Sequence, residues 1–314
     1  METSRQLALV TRRAGRRTTG RWLTGWVLFL PAALILAVGA VLPTLVTIGQ
    51  SLFVVTLTGG HFAYRWDGLQ NYLHLLGSGE FQQAVGFTML FTTVTVAAEL
   101  LVGMGMALAA NMAIPGKSLL RTTMLVPWAL ITVVSAQLWR YIYDGTYGVA
   151  NAVLVGLHVI AQPVTWLSDD NLAIGAMMVA DIWKTAPFVA LLLLAGLQTI
   201  PGELNEAASI DGASPWQVFR FVTLPLLRPS VLLAALYRTI QAFVGLFDLP
   251  FVLTGGGPGY ATQSVAIYSW KRMFQDLLFG QGAAASVVAF AVTLALAIVY
   301  IRMISPRTIS AESP

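Results

Sequence analysis

Five charged side chains stand within otherwise apolar stretches and are the residues with chemistry to offer: Glu99, Asp181, Lys184, Arg238 and Asp248. An ionised group is costly in an apolar medium, so each must face the protein interior or a water-filled path. Asp181 and Lys184 lie three apart on one helix face, a spacing that serves either mutual neutralisation or a shared place on a polar path. Arg238, Gln241, Ala242 and Gly245 recur at i, i+3, i+4 and i+7, so one helix face carries two polar groups and two small ones. Such a face can line a polar cavity, where Arg and Gln donate to hydroxyls and the small residues leave room. Phe243 and Phe247, on a neighbouring face, suit either ring stacking on a bound molecule or ordinary packing. Pro187 follows Lys184 within a turn and is expected to bend its helix midway, exposing backbone groups to a cavity.

The signatures of catalysis are missing. No HExxH or GxSxG occurs, and His61, His74 and His158 are scattered. The absence of Cys excludes disulfides, thiolate metal sites and Cys nucleophiles. Pro115-Gly116-Lys117-Ser118 echoes the end of a phosphate-binding loop, but Asn111 stands where the earlier Gly is required and no strand precedes it. The chain is therefore expected to carry no metal and no cofactor of its own.

The elements that must position these residues are membrane helices. The 314-residue chain is 57% hydrophobic and only 10% charged, with a mean hydropathy of +0.74, the composition of an all-α polytopic membrane protein. The net charge of +4 is not a nucleic-acid footprint, because six of the eighteen Lys and Arg precede Trp22. Residues 1–21 read as a cytoplasmic tail rather than a transit or signal peptide, since the apolar stretch from Trp22 to about Phe53 exceeds a signal core. Pro31 and Pro43 are expected to kink or delimit that first span. Further spans are expected over about Phe81 to Ile114, Leu119 to Tyr143, Leu172 to Ile200, Ser230 to Leu253 and Gly280 to Ile304. Between them, Val54 to Glu80 reads as an outer loop, Asp144 to Asp170 as an interfacial excursion, and Tyr260 to Phe279 as an amphiphilic outer segment. Six crossings place residues 305–314 on the same side as the N-terminus. That topology puts twelve Lys and Arg inside and four outside, so the termini are expected in the cytoplasm.

Between the fourth and fifth spans, residues 201–229 concentrate Glu203, Glu206, Asp211, Arg220 and Arg228. Pro201 suits a first helical position, with Glu203 and Glu206 near the positive helix end, and the helix should reach about Ile210. Gly212 tolerates positive φ, and Ser214, Pro215 and Gln217 form the start of a second helix with a capping box. Pro225 and Pro229 are expected to limit that helix before the next span. The result is a polar knuckle of two helices on the cytoplasmic side.

At this knuckle the order Glu206-Ala207-Ala208, three residues, Gly212, nine residues, Val222, one residue, Leu224-Pro225 resembles the EAA loop of ABC-importer permeases, with Val222 where that family usually has Ile. The resemblance spans about Trp22 to Ile304. It is strongest from Ile182-Trp183-Lys184 and Pro187-Phe188, through Ala195-Gly196-Leu197-Gln198, to Leu253-Thr254-Gly255-Gly256-Gly257-Pro258. Tyr147-Gly148, Asn151, Leu154, Leu157, Trp166 and Leu167 resemble an outward-side segment of the carbohydrate-uptake branch, of maltose, trehalose and glycerol-phosphate type. The resemblance implies an ABC type I importer permease fold, with residues 22–304 as the membrane domain and Glu206, Ala207, Ala208, Asp211, Gly212, Leu224 and Pro225 contacting an ATPase. Asp181, Lys184, Phe188, Arg238, Gln241, Ala242 and Gly245 are the residues assigned to the substrate path. It further implies a heterodimer with a second homologous permease, two cytoplasmic ABC ATPases that hold ATP and Mg, an extracytoplasmic sugar-binding protein and a carbohydrate substrate, all at a bacterial cell membrane. Closure of the ATPases would push the knuckle, and the Pro225 end would pass the displacement to the fifth span.

An ion-coupled secondary transporter, with Glu99, Asp181 or Asp248 as relay, is the alternative, although no internal repeat of the kind common in that class occurs. The substrate's charge stays open at this level. Arg238 suits a sugar phosphate if free, and a neutral oligosaccharide equally well if paired with Asp181 or Asp248.

Overall fold

The computed structural model describes residue 27 and residues 29–112 and 117–304. The tails 1–21 and 305–314 lie outside the described residues. In chain order, α1 (Phe29–Gln50) leads into a hairpin of β1 (Phe53–Thr58) and β2 (His61–Trp66), followed by α2 (Gln70–Gly77) and α3 (Gly79–Asn111). Next come α4 (Lys117–Ala129), α5 (Thr132–Ile142), α6 (Val149–Gly156) and α7 (Asp170–Leu197). The knuckle helix α8 (Gly202–Ile210) precedes α9 (Pro215–Val244), α10 (Asp248–Thr254), α11 (Val265–Phe274) and α12 (Phe279–Ile304). Among the described residues, α1, α3, α7, α9 and α12 are each long and apolar enough to cross a membrane. α4 and α5, bent by 93° at their break, pass the same test of length and composition only as a pair, which taken as one span makes six.

α3 and α7 form the central pair. They approach closely because position 103 is a glycine: a Cβ there would lie 2.8 Å from Val189 Cγ1 and 3.1 Å from the Ala190 amide nitrogen. Towards the knuckle, Ala107 and Ala110 of α3 pack on Val189, Leu193 and Leu197 of α7 and on Leu227 and Ala234 of α9. Towards the hairpin, Phe87 and Phe91 pack with Met177, Ala180, Leu246 and Leu249. A third cluster, around Leu75, Phe81, Tyr268 and Ala284, ties α2, α11 and α12 to the start of α3. Glu99 of α3, Asp181 and Lys184 of α7 and Arg238 of α9 fall between the first two clusters. α1 stands outside this core, with none of its apolar window buried.

Several sequence expectations change. The loop over 54–80 contains the β1–β2 hairpin and α2, so the helical architecture carries one two-stranded sheet; Gly59 and Gly60, both at positive φ, make its turn. Pro225 and Pro229 do not stop the knuckle's second helix. A π-helical turn over Phe219–Thr223 carries it into the crossing, so Pro215–Val244 is one helix and Pro225 lies in the first turn after the π segment. The fifth crossing ends at Val244 rather than Leu253, and α10 follows as a separate short helix. α7 runs unbroken through Pro187, and the breaks fall instead in the third and fifth crossings. Residues 144–170 hold the short α6, too short to cross a membrane, and its Asn151 binds the backbone of Val164 and the Trp166 indole at 3.0 Å.

The Gly103 contact is testable against a neighbour. Gly103→Leu is expected to cost about 1–3 kcal/mol by overpacking and to lower the thermal midpoint of the detergent-solubilised protein, read by fluorescence-detected size exclusion. Gly105→Leu, where a Cβ meets nothing within 4 Å, is expected to leave the midpoint unchanged.

Candidate functional site

Arg238 is the centre of the charged cluster. Its Nε donates to Glu99 Oε2 at 2.5 Å and its Nη2 to Glu99 Oε1 at 2.8 Å, a two-pronged pair between α9 and α3. Nη2 also donates to Asp181 Oδ2 of α7 at 3.1 Å, and Nη1 to Gln241 Oε1 at 3.3 Å. Gln241 in turn donates to the Tyr237 hydroxyl at 2.7 Å. The Thr185 hydroxyl lies 2.5 Å from Glu99 Oε1 and 2.6 Å from the Asp181 carbonyl. Glu99 is fully buried and Arg238 nearly so. Both carboxylates thus share one guanidinium, and the Asp181–Lys184 ion pair suggested by spacing is not made. Nor does Arg238 pair with Asp248, which lies in the first turn of α10.

This cluster forms one wall of a cavity of about 220 Å³. Six of the seven residues assigned to the path line it: Asp181, Lys184, Arg238, Gln241, Ala242 and Gly245. The seventh, Phe188, lies behind the wall. Its ring stacks on Trp128 with centroids 5.1 Å apart, and Trp128 faces the cavity. Phe243 and Phe247 do not line it either. Phe243 is buried, and Phe247 stacks on Phe251 at 5.0 Å beside Trp270. The remaining wall is Phe91, Thr132, Leu246 and Leu249. Sequence periodicity did not reveal these because they come from elements other than the charged face. The partnership of Glu99 with Arg238 was missed for the same reason, although an acid buried in an apolar helix calls for a cation.

Both helix breaks open onto this cavity. Trp128 and Thr132 flank the turn at Leu130 and Ile131 between α4 and α5, while Gly245 and Leu246 form the turn between α9 and α10. Irregular backbone at membrane depth is tolerated where it lines a water-filled space or is bonded by protein. At the second break the Ser264 hydroxyl donates to the Leu246 carbonyl. The site thus offers an aromatic face, a carboxylate, an ammonium and hydroxyl and amide groups in one polar chamber.

The knuckle sits at the other end of α9. Pro201 is the N-cap of α8 rather than its first helical residue, and Glu203 is in the first turn. Gly212 has φ +82, a conformation that disfavours a side chain, and open space surrounds its missing Cβ. The Ser214 hydroxyl accepts from the Gln217 amide while Gln217 Oε1 accepts from the Ser214 amide at 2.7 Å, the capping box expected. Asp211, Gly212, Gln217 and Phe221 border an open hollow, and Ile210, Trp216 and Phe221 are exposed around it. Glu206, Ala207 and Ala208 lie on α8, and Leu224 and Pro225 begin the regular part of α9 beyond the π turn.

The cluster makes a prediction about stability. Arg238→Met leaves two carboxylates without their cation and is expected to destabilise the protein by about 3–5 kcal/mol, whereas Lys184→Met, which removes no ion pair, is expected to cost much less. Thermal midpoints of the purified variants check this.

Three comparisons bear on the site. Residues 99–310 match the family described as binding-protein-dependent transport system inner membrane component. The chain is 40% identical to a trehalose/maltose transport system permease protein of Thermococcus litoralis over 89% of this chain and 92% of the relative. It is 38% identical to a sulfoquinovosyl glycerol transport system permease protein of Agrobacterium fabrum, over 92% of each. A bacterial ABC transporter involved in the import of the acidic polysaccharide alginate has the same fold, with a TM-score of 0.78 at 20% identity over 95% of this chain and 99% of that one. None of these matches supports the ion-coupled alternative. The matched family region holds the charged cluster, both helix breaks and the knuckle, and the chain belongs to that family, the multi-pass membrane permeases of binding-protein-dependent ABC importers.

Proposed function

We propose that this chain forms half of the translocation path of a carbohydrate importer, with a second homologous permease supplying the other half. An extracytoplasmic binding protein delivers the sugar, and two cytoplasmic ATPases, which hold ATP and Mg, dock on residues 201–229. Both termini then lie in the cytoplasm, with residues 22–304 as the membrane domain. The observation that carries this reading is the course of α9: one helix begins in the exposed knuckle and ends at the cavity wall with Arg238 and Gln241. A push on the knuckle therefore reaches the chamber through a single rigid element. Exposed Ile210, Trp216 and Phe221 support a docking role for the knuckle, since apolar side chains gathered beside a hollow favour a protein partner. The carbohydrate substrate is supported by the names of the relatives and by the chamber's mix of an indole face with hydroxyl-binding groups.

In this mechanism Asp181, Lys184, Thr132 and Trp128 meet the sugar. Arg238 holds Glu99 and Asp181 in place and so positions the wall rather than offering free charge. Gly212 keeps the knuckle turn tight, so that α8 and the start of α9 meet the ATPase as one surface. Gly212→Trp, which puts a bulky side chain at a positive φ, is expected to weaken ATPase docking by about 1.4 kcal/mol or more, a loss of roughly tenfold in affinity. Co-purification from native membranes checks it: the ATPase should be lost while the second permease remains. Unchanged ATPase recovery and unchanged sugar uptake would overturn the coupling role. Trp128→Ala is expected to lower sugar uptake while leaving ATPase recovery intact, which separates the path from the docking site.

A further inference from the structure

At the end of the molecule opposite the knuckle, six large apolar side chains are more than half exposed: Phe62, Tyr64, Trp66, Leu69, Leu73 and Leu76. They are not scattered. The strand register pairs Leu57 with Phe62, the buried Val55 with Tyr64, and Phe53 with Trp66 on one face of the hairpin, and puts Thr58 and His61, Thr56 and Ala63, and Val54 and Arg65 on the other. The hairpin is therefore amphipathic. The leucines recur at i, i+4 and i+7 along α2 and its N-cap, opposite the buried Asn71 and Leu75, so α2 is amphipathic too.

Two contacts fix the height of this belt. Asn71 Nδ2 donates to the carbonyls of Ser51 and Phe53 at 2.9 and 3.1 Å, which ties α2 to the end of α1. Phe62 meets Phe279, the first residue of α12, edge-on with centroids 5.3 Å apart. The belt thus lies level with the ends of two membrane-crossing helices. That level is where the hydrocarbon meets the headgroups. There, Trp and Tyr present an apolar ring to one side and a polar group to the other, and amphipathic helices lie in the membrane plane.

We propose that the β1–β2 hairpin and α2 form a lipid-binding belt that lies in the headgroup region of the leaflet opposite the knuckle, with Phe62, Tyr64, Trp66, Leu69, Leu73 and Leu76 inserted among the upper acyl chains. The belt rests on the chain's being a multi-pass membrane protein and not on its substrate or ATPase partners. Its role is to hold the outer ends of α1 and α12 at a set depth while α9 moves.

The chain has no cysteine, so single-cysteine variants carry a spin label at one position of this chain. Trp66→Cys, Leu73→Cys and, on the polar hairpin face, Thr56→Cys would each be labelled in the full transporter complex in phospholipid nanodiscs. The complex with the unsubstituted chain supplies the background. Oxygen, which concentrates in the bilayer, and a water-soluble nickel chelate would be compared as relaxing agents. The expected result is an oxygen-to-nickel collision ratio several-fold higher at positions 66 and 73 than at 56. A ratio at 66 and 73 equal to that at 56 would mean that the face meets water and would overturn the belt. Low collision with both agents at 66 and 73 would mean that a protein subunit covers the face, and would overturn it equally. Sugar-stimulated ATP hydrolysis of each labelled complex shows that the assembly is intact.

Discussion

The rest of the membrane domain depends on the guanidinium of Arg238. Three crossings, α3, α7 and α9, meet around it through Glu99, Asp181 and Arg238 itself. Two carboxylates and one guanidinium removed from water would each be prohibitively costly alone, and together they offset much of that cost only in one relative arrangement of the helices. Apolar packing between α3 and α7 is permissive about rotation and sliding, but a two-pronged ion pair is not. The cluster sits between two apolar layers, one towards the knuckle and one towards the hairpin, and so fixes the register of both.

That arrangement separates two jobs that a charged membrane residue can do. Four of the five N–H donors of Arg238 go to Glu99, Asp181 and Gln241, so most of its bonding is spent on architecture even though its side chain borders the cavity. Lys184 borders the same cavity without an ion pair among the described residues, and Asp181 engages Arg238 through Oδ2. Two carboxylates and two cations leave the chamber formally neutral, a setting in which hydroxyl-rich solutes are bound by hydrogen bonds rather than by net charge. Two helices break beside the chamber, a place where irregular backbone is tolerated because it borders a cavity or, as at Leu246, is bonded by a side chain.

Much of this was readable in the chain. The i, i+3, i+4, i+7 face from Arg238 to Gly245 lines the cavity because helical periodicity survives into the fold, and the capping box at Ser214 formed because it depends only on neighbours. What the chain concealed is long-range or geometric. Glu99 and Arg238 are 139 residues apart, and only the packing of α3 against α9 makes them partners. Pro187 lies inside α7 without interrupting it, while breaks appear at Leu130–Ile131 and Gly245–Phe247. A proline removes one donor, and a helix packed on several sides absorbs that loss, so local chemistry alone did not decide which helix broke. Pro225 and Pro229 likewise stand within the helix that continues beyond the π turn, the first of them in the opening turn of its regular part, where a missing N–H costs little.

The π turn over Phe219–Thr223 has a consequence for how motion is transmitted along α9. One residue inserted into an α-helix advances everything beyond it by about 100° about the axis. The angular offset between the knuckle's exposed face and the cavity face from Arg238 to Gly245 is therefore set by this single extra residue, as a keyway sets two wheels on one shaft. Were the segment to relax to regular α-helix while the knuckle stayed clamped, the shaft would turn by that angle. Arg238 would then swing off Glu99, so the two-pronged pair and the π turn belong to the same setting of the helix.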